Sequence, residues 1–153
     1  MQYKIPVTYD RIVDKMARQL RFRAKRSNDP AFPFVEGWLV PFSNRKHFEM
    51  WIMSHVSASS TYGWPIDIDT IGQFTGLRDV NGKDVYEGDI VRYRATDARH
   101  TKNPRFVNLP IHYSESSAKF EAGNIFWEDL SSERIEVIGN IYDNPELIET
   151  QNN

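Results

Sequence analysis

Apolar residues recur at three- and four-residue intervals near the start of the chain. Tyr9, Ile12, Val13, Met16, Ala17 and Leu20 make one stripe, and Asp10, Arg11, Asp14, Lys15 and Arg18 fall opposite. Residues 1–19 are therefore expected to hold a short amphipathic helix over Thr8–Gln19. Thr8 serves as its N-cap, and Asp10 lies in the first turn where the helix dipole favours an anion. The period then drops to two: Leu20, Phe22 and Ala24 alternate with Arg21, Arg23 and Lys25. That pattern predicts a half-buried strand with a basic outer face.

Further strands are expected over 34–40, 47–56, 66–74, 90–95, 105–113, 119–127 and 134–141. The segments 41–46 and 97–104 read as loops, and Ser57–Gly63 reads as a linker. Asn81-Gly82 between extended segments predicts a two-residue hairpin of type I′, with Lys83–Tyr86 as the return arm. Glu87-Gly88-Asp89 is a second turn, in which Asp89 is suited to accept hydrogen bonds from local amides. Asp143-Asn144-Pro145 closes the ordered part, and residues 149–153 are expected to fray. Short strands separated by turn residues argue a mainly β fold, a barrel or a sandwich.

Composition narrows the class. A chain of 153 residues that is 40% hydrophobic and 26% charged can bury a core as one compact unit. No apolar run approaches the ~18 residues of a membrane helix, so no membrane partner is expected. The start of the sequence lacks the apolar centre of a signal peptide. Cysteine is absent, which removes disulfides and thiol chemistry and suits a reducing cytoplasm. The net charge of −2 conceals an asymmetry. Residues 1–46 carry ten Lys/Arg against four Asp/Glu, net +6, and the remainder carries nine against seventeen, net −8. The two regions can attract each other within the fold or between subunits, and the basic front can also meet a polyanion.

Chemistry-bearing residues are sparse. The best nucleic-acid candidate is the basic strand Arg21, Arg23, Lys25 and Arg26, extended by Arg18. Same-face side chains on a strand lie about 7 Å apart, close to the phosphate repeat. Phe22 points away from the cations, however, and stacking on bases needs a ring beside them. A solvated edge strand guarded by positive charge explains the pattern equally well. Asp67 and Asp69 would share one strand face, and Glu87 and Asp89 have the same spacing. A hard cation wants about six oxygen ligands, more than either pair supplies. Glu128, Asp129 and Glu133 read as surface charge around a turn. His47, His55, His100 and His112 lack metal-ligand spacing, and Ser57, Ser59 and Ser60 lie in ordinary loop sequence without a nucleophile-elbow motif. No catalytic residue, metal or cofactor is assigned.

The run IGQFTGLRDVNGKDVYEGDIV (71–91), followed by IEVIGNIYDNPELI (135–148), resembles the YopX family of phage and prophage proteins. LRFRA (20–24) and EGWLV (36–40) are similar to that family's first two strands. The resemblance spans residues 20–148. The helix expected before it is a departure, because family members begin near the FRA strand. It implies a phage-borne, intracellular, mainly β protein, with an N-terminal β lobe over 20–75 and an SH3-like barrel over 76–148. No catalytic residue, cofactor or substrate comes with the resemblance.

Read physically, Gly72, Gly76, Asn81, Gly82, Gly88 and Asp89 form a structural motif of turns and strand ends. The glycines are too widely spaced to cradle a phosphate. The sequence therefore favours a non-enzymatic module that binds an unidentified protein or assembles with itself in a bacterial host cytoplasm. The alternatives are a nucleic-acid-binding accessory protein and, last, a metal-dependent hydrolase or nuclease.

Overall fold

The computed structural model describes residues 20–29, 31–43, 48–57, 60–95, 105–123, 125–126 and 130–149. The helix expected over 8–19, and with it Arg18, lies outside them, as do the loop 97–104, His47, His100, Ser59, Glu128, Asp129 and the tail from residue 150. The described chain is mainly β, and its strands form two antiparallel sheets.

The first sheet contains β1 (Phe22–Ala24), β2 (Val35–Ser43), β3 (Phe48–Ser57), β4 (Ser60–Pro65), β5 (Gly72–Arg78) and β6 (Asp84–Tyr86). Their order is β4-β3-β2-β1-β5-β6. The second sheet contains β7 (Asp89–Ala95), β8 (Arg105–Ser114), β9 (Lys119–Ala122), β10 (Ile125–Phe126) and β11 (Ile135–Asn140). Its order is β10-β9-β8-β7-β11, so β7 to β10 run as a meander and β11 returns beside β7. A single helical turn, Glu146–Glu149, follows β11.

Period-two alternation places the cores. Ala24, Val35, Ile52 and Ile66 form one buried cluster, with Phe22, Leu39, Met50, Trp64 and Ile71 packed against it. Val85, Val91, Tyr93, Ile111, Ala122, Leu130 and Ile135 form the other. Val85 belongs to a strand of the first sheet but packs in the second core, so the two sheets share a boundary there.

Four local expectations are corrected. The basic strand is not an edge: β1 lies between β2 and β5, with Phe22 opposite both Gly37 and Gln73. Ser57–Gly63 is not a linker, because β3 runs to Ser57 and Ser60–Pro65 pairs back on it as β4. Serines masked the strand signal that Tyr62 and Trp64 carry. The strand expected over 66–74 is interrupted. Ile66 makes an isolated bridge, Ile68–Thr70 is a 3₁₀ turn, and pairing resumes only at Gly72. Likewise 119–127 is split into β9 and β10 around Gly123, whose φ of 55° is left-handed.

The Asn-Gly hairpin exists, but its turn is of a different type. Gly82 has φ 79°, while Asn81 is not among the residues with positive φ, as type I′ requires. The Gly82 amide donates to the Asp79 carbonyl at 2.9 Å, and the Asp79 amide to the Lys83 carbonyl at 2.9 Å. This is a three-residue loop with glycine in the left-handed position. The Asp79 carboxylate sets it: Oδ1 accepts from the amides of Asn81 (2.8 Å) and Lys83 (2.9 Å). Oδ2 accepts from Val137 of β11 at 3.0 Å, tying the hairpin to the second sheet. Gly72 answers a different need, close approach, since a Cβ there would lie 2.2 Å from the Glu87 carbonyl oxygen.

Candidate functional site

The polar chemistry of the described chain concentrates where β1 faces the residues around the start of the second sheet. Arg21, Arg23 and Lys25 share a face because strand side chains alternate. Each meets a carboxylate from far along the chain. Arg21 pairs with Asp84 at 2.8 Å, Arg23 with Asp89 at 2.6 Å, and Lys25 with Asp143. Aromatic rings line the same face. Arg21 lies 4.1 Å from the Phe74 ring centroid, and Arg23 lies 4.6 Å from Phe34 and 4.9 Å from Tyr86. The basic front and acidic remainder of the sequence thus meet within the fold, as a seam of three ion pairs.

The middle pair is buried, with Arg23 at 7% and Asp89 at 1% relative exposure. Asp89 Oδ1 accepts from Arg23 Nη2, while Oδ2 accepts from the Tyr86 amide at 2.8 Å and closes its own turn. The local half of that arrangement follows from Glu-Gly-Asp chemistry; Arg23, 66 residues away, is the half that no local pattern announces. Burial pushes the Asp89 carboxyl above its ordinary value, and the Arg23 charge and the Tyr86 amide oppose that rise. Arg23 Nε is buried and makes no hydrogen bond among the described residues. Tyr86 stands beside the pair, and its hydroxyl donates to Glu36 at 3.0 Å. Burial and the neighbouring Glu36 raise its pKa, so the phenol keeps its proton.

The outer pairs are more open. Asp84 also accepts from Arg78 Nε at 2.8 Å. Asp143 is held by Lys25 and by Asn140 Nδ2 at 3.0 Å, and these contacts lower its pKa. Arg26 leaves the row: its guanidinium lies 4.7 Å from the Phe32 ring.

The glycines of the glycine–aspartate motif fall at turns and within strands. Gly88 has φ 81°, donates to the Ile111 carbonyl at 2.9 Å and accepts from the Ile141 amide at 2.9 Å. It therefore holds β8 and the end of β11 against the turn. Gly76 also has positive φ, 87°.

The remaining candidates do not converge. Asp67 caps the 3₁₀ turn, accepting from the Asp69 amide at 3.1 Å, so the two carboxylates do not share a strand face. The Glu87 carboxylate accepts from the Tyr113 amide at 3.3 Å, while Asp89 turns inward to Arg23. His112 Nε2 lies 3.7 Å from Glu121, and Glu133 is exposed in a short 3₁₀ turn. The side chains of His55, Ser57 and Ser60 lie outside the described residues. Among the described residues, no group of three or more His, Asp or Glu is placed to hold a metal, and no helix is long and apolar enough to cross a membrane.

Two antiparallel sheets joined by a cation–carboxylate seam define the class: a mainly β protein. Within that class the chain belongs to the YopX family, whose model, described as "YopX protein", matches residues 21–149. The match begins at Arg21, the first cation of the seam, and includes Asp84, Asp89 and Asp143. Among solved structures the chain is similar to protein EF1440 from Enterococcus faecalis, at 24% identity and a TM-score of 0.47, over 84% of this chain and 96% of that one. No curated protein matches the chain.

Proposed function

We propose that this protein is a phage- or prophage-encoded, non-enzymatic interaction module of the bacterial host cytoplasm, and that the partner it engages first is a second copy of itself. The phage origin and compartment rest on what the family resemblance implies. In this reading the second sheet is an SH3-like barrel, supported by its meander and its returning fifth strand.

The observation that carries the interaction is the β4 edge. Ser60–Pro65 contains no charged residue, although among the described residues β4 ends the first sheet. Charged side chains on edge strands prevent pairing with another chain, and this edge lacks them. The sheet face beside it is largely apolar, with Glu49 at one end beside Trp51. Register puts Trp38 opposite Met53 and Val40 opposite Trp51 on the face away from Ile52. Val40 is 39% and Phe42 55% exposed. An antiparallel edge is complementary to itself, so a second copy supplies a matching strand and a matching apolar face.

Sedimentation equilibrium from low to high micromolar protein tests this. The chain is expected to dimerise, and Val40→Lys with Tyr62→Lys to leave a folded monomer. A wild-type monomer throughout the range contradicts the proposal.

Two other readings draw less support. Nucleic-acid binding through Arg21, Arg23, Lys25 and Arg26 would have to compete with Asp84, Asp89 and Asp143 for three of those cations. Metal-dependent hydrolysis on Asp67 and Asp69 would have to undo a turn cap.

A further inference from the structure

The cations of the second sheet are disposed differently from those of the seam. On β7, Val91 and Tyr93 point into the core, while Arg92 and Arg94 point out. Arg94 lies directly opposite Phe106 of β8, and Arg92 opposite Glu136 of β11. With Val80, Glu133, Arg134 and Ile135 they line a surface hollow of about 210 Å³. Arg92 is engaged with Glu136 at 3.7 Å. Arg94 and Arg134 make no ion pair among the described residues. Phe106 is 52% exposed, with no aromatic partner among the described residues.

Among the described residues, a ring beside an unpaired guanidinium is absent from the seam, where Arg21, Arg23 and Lys25 are all paired, and occurs on the basic strand only beyond β1, at Arg26 and Phe32. In β1 Phe22 points away from the cations, and the rings that do flank them help enclose the seam. Here a cross-strand pair puts Arg94 and Phe106 on one face, with side-chain roots about 5 Å apart. A planar ring can stack on Phe106, and its phosphate can take the fork donors of Arg94 and Arg134. Arg92 and Arg94 lie two residues apart on one strand, a spacing of about 7 Å that matches the phosphate repeat of a single strand.

We propose that this hollow is a nucleotide-binding site that holds one base on Phe106 and its phosphate on Arg94 and Arg134. The nucleotide is either free or one unit of a single-stranded nucleic acid. The site is separate from the β4 edge and from the basic strand Arg21–Arg26.

Fluorescence anisotropy of a short fluorescein-labelled oligothymidylate at low salt tests the site, with unlabelled adenosine 5′-monophosphate and inorganic phosphate as competitors. Saturable binding is expected. Phe106→Ala should weaken it about tenfold, the scale of one lost base stack, and Arg94→Glu more than that. Arg78→Ala, on the first sheet, should leave it unchanged, and circular dichroism should show all variants folded. An oligonucleotide that binds more tightly than the mononucleotide identifies a strand as the ligand; equal affinity identifies a free nucleotide. Either outcome supports the proposal. No binding to either probe overturns it. Binding indifferent to Arg94→Glu does so too. Loss with Arg94→Glu but none with Phe106→Ala, or competition by inorganic phosphate as strong as by the nucleotide, reduces the site to a plain anion contact and overturns the nucleotide assignment.

Discussion

Arg23 and Asp89 are bonded at 2.6 Å across the boundary of the two sheets, with 65 residues of chain between them. Both belong to short segments that are distinctive in the sequence, FRA and EGD. Neither segment reveals the other as its partner.

The pair should be costly to break and cheaper to replace. Removing one member leaves a buried charge uncompensated, at a cost of about 3–5 kcal/mol. Asp89→Ala is expected to lose that much in urea denaturation. Exchanging both members for apolar residues, Arg23→Met with Asp89→Leu, should recover at least half of the loss, the Tyr86 amide bond being the remainder. A single variant costing less than about 1 kcal/mol, the worth of an ordinary hydrogen bond, would contradict the burial of the pair.

Asp79 should give the protein an acid-sensitive hinge. Burial raises its carboxyl, but the amides of Val137, Lys83 and Asn81 lower it further, to a net value below 3.8. A depressed folded pKa means that the unfolded chain binds the proton more readily. The stabilisation is therefore complete above 3.8 and is lost as pH falls through the folded value. Asp79→Asn is expected to cost about 1.5–3 kcal/mol at neutral pH, because an amide cannot accept all three N–H groups. The gap between variant and wild type should narrow as pH drops below 3.8. A gap that stays constant with pH would show that the carboxylate charge is not what holds the turn.

The hairpin offers a test that separates two turn types. Only Gly82 needs the left-handed region, and a Cβ there meets nothing within 4 Å. Gly82→Val should therefore cost backbone strain alone, about 1–2 kcal/mol. Asn81→Ala should change the melting temperature little. A two-residue type I′ turn would make both substitutions costly, so a large Asn81→Ala effect would reinstate that turn.

Much of the strand content was legible because alternation survives wherever one face is buried. Arg105–Tyr113 and Arg134–Ile141 lie within a residue or so of β8 and β11. Ser57–Gly63 was not legible, since a serine-rich strand at a sheet edge has little burial to imprint a pattern. The interruption at Ile68–Thr70 was hidden by Asp67, which reads as a polar strand position and acts as a cap. The charge asymmetry announced an attraction but not its geometry. Pairing Lys25 with Asp143 depends on a fold that brings together residues 118 apart. The outward pair Arg94 and Phe106 was equally invisible, because it exists only through the β7–β8 register.

The three-residue strand β1 has a consequence for the order of assembly. Its neighbour β2 follows at once in the chain, but β5 comes some fifty residues later, and the carboxylates for Arg21, Arg23 and Lys25 later still. During synthesis those cations emerge early and remain hydrated until Asp84, Asp89 and Asp143 exist. Loop closure over such separations costs entropy before any contact offsets it. The basic strand is thus a latch: the first of the described strands to be made, with contacts that stay incomplete until Asp143 has emerged.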